Sequence, residues 1–161
     1  MEIVEANLSQ IKIISCLAEE IWWPTYKSVI PEKQIEFMLT QMYAETALEN
    51  QMKEGAKFLL LSFEEAYQGF ASYAQHENGK DYKLQKLYLK TALQGKGFGK
   101  RLITEVEKRS KILNADYLYL NVNRGNKAHQ FYSKMGYEIF DIIDIPYYDF
   151  ILNDYIMRKE L

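Results

Sequence analysis

The residues of this sequence best suited to chemistry stand together at 94–100. Gln94-Gly95-Lys96-Gly97-Phe98-Gly99-Lys100 separates a run of aliphatic and aromatic residues from a stretch that carries Leu102, Ile103, Val106 and Leu113 in one helical stripe. Glycines at alternate positions let a backbone approach a ligand and turn successive N–H groups toward it. A helix starting there adds roughly half a positive charge. With Lys96 and Lys100 beside it, the segment suits a phosphate or pyrophosphate. The spacing excludes several phosphate binders. No GxxxxGK followed by Ser or Thr is present, which removes a P-loop NTPase. Counting from Gly95, the sixth position is Lys100, where the dinucleotide fingerprint needs a small residue. A protein-kinase loop would need downstream catalytic and metal-binding segments that 161 residues do not contain. Another pyrophosphate-bearing ligand remains.

Few other residues offer chemistry. Cys16 is the only cysteine, so neither an intramolecular disulfide nor a multi-cysteine metal site can form, and no metal is expected. One cysteine also suits a reducing cytoplasm. Cys16 lies off the apolar stripe of its own helix and has no His or Asp at a recognisable spacing, so a nucleophilic role is not expected. The two histidines are His76, before the turn Glu77-Asn78-Gly79, and His129.

The elements that must position the glycine segment follow from periodicity. Residues 2–6 can form a first strand. Asn7 can cap a helix carrying Ile11, Ile14, Leu17, Ala18 and Ile21, which Pro24 should end near Trp23. Pro31 can open a second helix through Ile35, Leu39 and Met42, and a third runs from about Glu45 to Lys53. KFLLLSF, YQGFASYAQ and DYKLQKLYL then read as an antiparallel meander with turns at Glu64-Glu65 and Glu77-Asn78-Gly79. The glycine turn and its helix lead to a strand at 117–122. Asn126 can cap a short helix closed by Gly136, and strands near 137–144 and 150–159 finish the chain. The strand at 84–89, the helix and the strand at 117–122 form a β-α-β crossover, so those two strands should be parallel. The fold class is α+β, a mostly antiparallel mixed sheet of about seven strands in one domain spanning residues 1–161.

Composition narrows the partners. With 20 Lys and Arg against 22 Asp and Glu the formal charge is -2, so no global basic field favours nucleic acid. No run of 18 apolar residues and no export signal is visible, so no membrane association is expected. The 13 tyrosines, each an apolar ring with a polar tip, hint at a lined pocket.

Gln94-Gly95-Lys96-Gly97-Phe98-Gly99 resembles the (Q/R)xxGx(G/A) acetyl-CoA motif of the GCN5-related N-acetyltransferases, the GNAT family. Asn126-Lys127-Ala128, Phe131-Tyr132 and Met135-Gly136-Tyr137 are similar to that family's segment after its fifth strand, and the order of elements agrees over nearly the whole chain. The resemblance implies acetyl-CoA as co-substrate and transfer of its acetyl group to a primary amine by direct attack, without an acyl-enzyme. It implies that the fourth and fifth strands splay to admit the pantetheine arm. Gln94, Gly95, Lys96, Gly97, Phe98, Gly99 and Lys100 would bind the pyrophosphate, Leu87 and Leu89 would offer backbone bonds to the arm, and Asn126 would contact the CoA chain. Tyr132 would lie near the thioester sulfur as general acid. Its reference pKa, near 10 against about 8.5 for a thiol, makes it a better hydrogen-bond donor than a full proton donor.

Many members of the family carry a carboxylate base on or near the fourth strand, and KLQKLYLK has none. His76 is the titratable alternative and a water relay through tyrosine hydroxyls is another; the plainer reading of His76 is a surface histidine. Trp23 and Tyr26, in Trp22-Trp23-Pro24-Thr25-Tyr26-Lys27, are expected to wall the acceptor pocket, which the resemblance assigns to a small amine, polyamine or lysine side chain. Two other readings stay open. One is an acyl-CoA sensor without catalysis, motivated by the missing carboxylate, and the other is a nucleotide-phosphate binder of unrelated chemistry. By analogy with the family a homodimer through the last strands is possible.

Overall fold

Alternating apolar residues in the middle and at the end of the chain build one sheet that is covered on both faces, as seen in a computed structural model describing residues 1–161. Its strands are β1 (Glu2–Glu5), β2 (Lys57–Phe63), β3 (Ala66–Gln75), β4 (Tyr82–Leu89), β5 (Tyr117–Asn123), β6 (Glu138–Tyr147) and β7 (Phe150–Glu160). They lie in the order β1-β2-β3-β4-β5-β7-β6, antiparallel except for β4 and β5. Helices α1 (Ile11–Tyr26), α2 (Glu32–Tyr43) and α3 (Glu45–Lys53) pack on the face that carries Phe58, Leu60 and Phe70. Helices α4 (Phe98–Ile112) and α5 (Ala128–Lys134) cover the other face over Leu59, Leu61 and Leu118. By their period of two, β2 and β3 feed both cores.

The expected elements form with two corrections. Asn7 caps a 3-10 turn, Leu8–Gln10, that leads into α1, whose own N-cap is Gln10. Pro24 does not end α1, which runs on to Tyr26. Proline only removes the N–H that would bond the Glu20 carbonyl, and Glu20 is exposed, so that carbonyl can meet water. The helix resumes through the Thr25 hydroxyl, which donates to the Ile21 carbonyl at 2.7 Å, and the Lys27 N–H, which donates to Trp23 at 3.0 Å.

Two features of β4 shape the cleft beside it. It pairs with β5 only over Tyr82 to Leu84, opposite Leu118 to Leu120. Beyond that point the two strands part and the sheet opens as a V. The closed end is fixed by Asp81, whose carboxylate accepts the N–H groups of Asp116 and Tyr117 at 3.0 and 2.9 Å. The second feature is a bulge. Ser72 faces Lys86 while the next residue, Tyr73, faces Leu84, so Gln85 is an extra residue on β4. Lys86 is thereby turned to the face opposite Leu84.

Candidate functional site

The glycine segment sits at the open end of the V. Gly95 and Gly97 hold φ values of +75° and +85°, and Gly97 is the N-cap of α4 in the left-handed conformation. A side chain there would be strained, by roughly 1–2 kcal/mol per residue. The N–H groups of Gly95, Gly97, Phe98, Gly99 and Lys100 find no acceptor within the chain. Five donors at a helix N-terminus with Lys96 and Lys100 beside them fit a pyrophosphate.

The edge of β4 continues this cradle. Lys90 donates its N–H to Gln68 at 2.9 Å, so along this antiparallel pair the even-numbered residues bond to β3. The backbone groups of Leu87 and Leu89 therefore face the gap toward β5, where no strand meets them. Gly69, opposite Leu89, permits this arrangement: a Cβ there would stand 2.4 Å from the Tyr88 carbonyl and 2.5 Å from the Leu89 side chain.

A cavity of about 480 Å³ fills the gap and extends between α1, α2 and the sheet. Tyr132 from α5, 7% exposed, forms part of its wall, and burial raises the pKa of its hydroxyl, with the nearby Tyr26 adding to the effect. It stays a neutral donor. Asn126 lines the cavity while its Oδ1 accepts the N–H of Ala128, the first residue of α5, at 2.9 Å; the N-cap position itself is Lys127. Tyr26 and Tyr88 meet hydroxyl to hydroxyl at 3.0 Å inside the cavity. Burial raises both of their pKa values, so both can pass a proton while remaining uncharged.

Two of the sequence expectations do not come to this site. His76 lies at the far end of β3, beside the closed end of the V, with its ring stacked on Tyr119 at 4.4 Å; it does not line the cavity. The chain reversal between β3 and β4 puts the end of one beside the start of the other, so a residue late in β3 is remote from Leu89. Trp23 also points elsewhere. Its Nε1 donates to Glu19 at 3.2 Å and it lines a shallower groove on the other side of α1 with Glu19 and Glu36. Trp22 lines the cavity instead, 3% exposed, with its ring 4.4 Å from that of Tyr26. Helical phase could have found it, because Trp22 falls four residues after Ala18 on the apolar stripe and Trp23 four after Glu19.

The structure adds charged groups that sequence reasoning missed. Asp154 on β7 is 9% exposed and lines the cavity, accepting from Asn121 Nδ2 at 3.3 Å. Burial pushes its carboxyl pKa up, against the lowering effects of that bond, Lys83 and Arg124. Lys86 on β4 is also 9% exposed. Its Nζ donates to Gln51 Oε1 at 2.5 Å and lies 5.5 Å from the ring centroids of Tyr43 and Phe58. Burial alone lowers its pKa to about 8.

Comparison with known proteins agrees with this geometry. The family model described as an acetyltransferase (GNAT) domain matches residues 26–141, and the chain belongs to that family. A search of curated proteins finds no match. Among solved structures, PaiA N-acetyltransferase from Thermoplasma acidophilum, in complex with coenzyme A, is similar at 26% identity and a TM-score of 0.82, with all of both chains covered. A GCN5-related N-acetyltransferase from Rhodopseudomonas palustris shares the fold at 19% identity and a TM-score of 0.84, over 99% of this chain and 95% of the other. Ribosomal-protein-alanine N-acetyltransferase from Brucella melitensis does so at 19% identity and 0.69, covering both chains fully. The protein is an acetyl-CoA-dependent N-acetyltransferase. No helix is long and apolar enough to cross a membrane.

Proposed function

We propose that this enzyme transfers the acetyl group to a primary amine of a small molecule, with Tyr132 and Asp154 as the proton-handling residues. The observation that carries the reading is the cavity itself, which joins the split edge of β4 to a buried carboxylate. The co-substrate supplies an activated acetyl thioester when bound. The amides of Gly95, Gly97, Phe98, Gly99 and Lys100 and the side chains of Lys96 and Lys100 hold its pyrophosphate, Leu87 and Leu89 hold the pantetheine arm through their backbone, and Asn126 contacts its chain.

An alkylamine with a pKa of about 10.4 is protonated at pH 7, and freeing it costs about 4.6 kcal/mol. Asp154 receives that proton, directly or through water, and its raised pKa reduces the uphill transfer. The neutral amine nitrogen then bonds to the acetyl carbon, CoA thiolate is expelled as the carbon–sulfur bond breaks, and the nitrogen gives up its second proton to the thiolate or to water, leaving the neutral amide. The Tyr132 hydroxyl donates to the departing sulfur. Holding both reactants in one cleft supplies much of the rate by proximity. Trp22 and Tyr26 wall the acceptor side. Asp154 on β7 supplies a buried carboxylate in the cavity where β4 has none, which supports a catalytic reading over a non-catalytic sensor. The test is release of CoA thiol from acetyl-CoA with a panel of primary amines: turnover supports the reading, and acetyl-CoA binding without turnover on any amine overturns it.

A further inference from the structure

The charges along the cavity are unevenly met. Lys83, Lys86 and Asp154 are its only charged side chains, a net charge of about +1 when all are ionised. Lys86 is the anomaly, because no carboxylate pairs with it and its one hydrogen-bond partner is the neutral amide of Gln51. That amide is itself oriented by donating its Nε2 to the Met42 carbonyl at 2.8 Å. With a pKa of about 8, Lys86 is mostly protonated at pH 7, a buried cation with two donor hydrogens to spare. The rings of Tyr43 and Phe58, each 5.5 Å from Nζ at the centroid, are its other close neighbours.

We propose that the acetyl acceptor is an aminocarboxylate, bound with its amine toward Asp154 and its carboxylate toward Lys86. This rests on the acetyl-transfer reading above. Lys86 on β4 and Asp154 on β7 both line the cavity with β5 between them, a separation of opposite charges that complements a zwitterion. One cation matches a single negative charge, which favours a carboxylate over a phosphate dianion. A polyamine fits poorly, since its second ammonium would face Lys86. Lys86 stands on β4 and Asp154 on β7 with β5 between them, so their backbones are roughly 10 Å apart before the splay is added. The amine and the carboxylate of the acceptor are therefore separated by several bonds, as in an ω-amino acid.

The experiment compares initial rates with acetyl-CoA for a series of ω-amino acids against the monoamines and diamines of equal length, for the wild type, K86M and K86R. The wild type should favour the aminocarboxylate by about 10-fold or more in kcat/KM over both counterparts. K86M should reduce that preference to near parity through KM, and K86R should restore part of it. Diamines turned over as well as aminocarboxylates, or a preference that survives K86M, overturns the inference and leaves acetyl transfer intact. No turnover with any amine overturns the acetyl-transfer reading as well. Should K86M fail to fold, the wild-type panel decides alone.

Discussion

Replacing Lys86 by Met removes a cation that the fold keeps from water with no carboxylate to meet it. Burial lowers its pKa from 10.5 to about 8, so the folded protein holds the ammonium less favourably than the unfolded chain does, by about 3 kcal/mol. Below pH 8 the group is protonated in both states and the full cost is present. Between pH 8 and 10.5 the unfolded chain binds more protons than the folded one, so stability rises with pH; above 10.5 the cost is gone. The variant also loses something. Met leaves Gln51 Oε1 without its donor, which costs about 1–2 kcal/mol. K86M should therefore be about 1–2 kcal/mol more stable than wild type at pH 7 and less stable at pH 10.5. Urea unfolding at several pH values, followed by tryptophan fluorescence, measures the difference, in which the titrations of other residues largely cancel. A variant less stable at pH 7, or a difference that does not move with pH, would refute the buried-cation reasoning and with it the motive for an anionic ligand.

Three further outcomes are expected at the site. Tyr132→Phe should lower kcat by about 10- to 100-fold, measured by thiol release at saturating acetyl-CoA, because the departing sulfur loses its donor. Asp154→Asn should lower kcat/KM for the amine at pH 7 and move the alkaline rise of the pH–rate profile upward, since the amine must then lose its proton to solvent. Gly69→Ala drives a Cβ to 2.4 Å from the Tyr88 carbonyl, so β3 and β4 must separate; thermal unfolding should show a loss of at least about 2 kcal/mol.

Local physics makes much of the fold readable. Alternation identifies the strands, the stripe at Leu102, Ile103 and Val106 identifies α4, and the glycine segment between β4 and α4 forces a close backbone approach whichever ligand is meant. The residues that escape a sequence reading depend on information the local pattern lacks. The face of Lys86 is set by the bulge at Gln85, which reverses the alternation counted from Leu84. Asp154 reaches the cavity through its pairing with Asn123, a register fixed between residues 31 positions apart. His76 misleads for a similar reason, since only the antiparallel return of β4 tells which end of β3 lies beside the opening. Trp22 differs in kind, because its helical phase is available in the sequence and is outweighed there by the apparent stop at Pro24.

The most direct test is a two-substrate initial-rate study of CoA release from acetyl-CoA with an ω-amino acid, paired with mass measurement of the acceptor. Intersecting double-reciprocal lines and one acetyl group gained per thiol released are expected for direct attack within a ternary complex. Parallel lines, thiol release uncoupled from acetylation, or an acetylated enzyme in the absence of acceptor would contradict it.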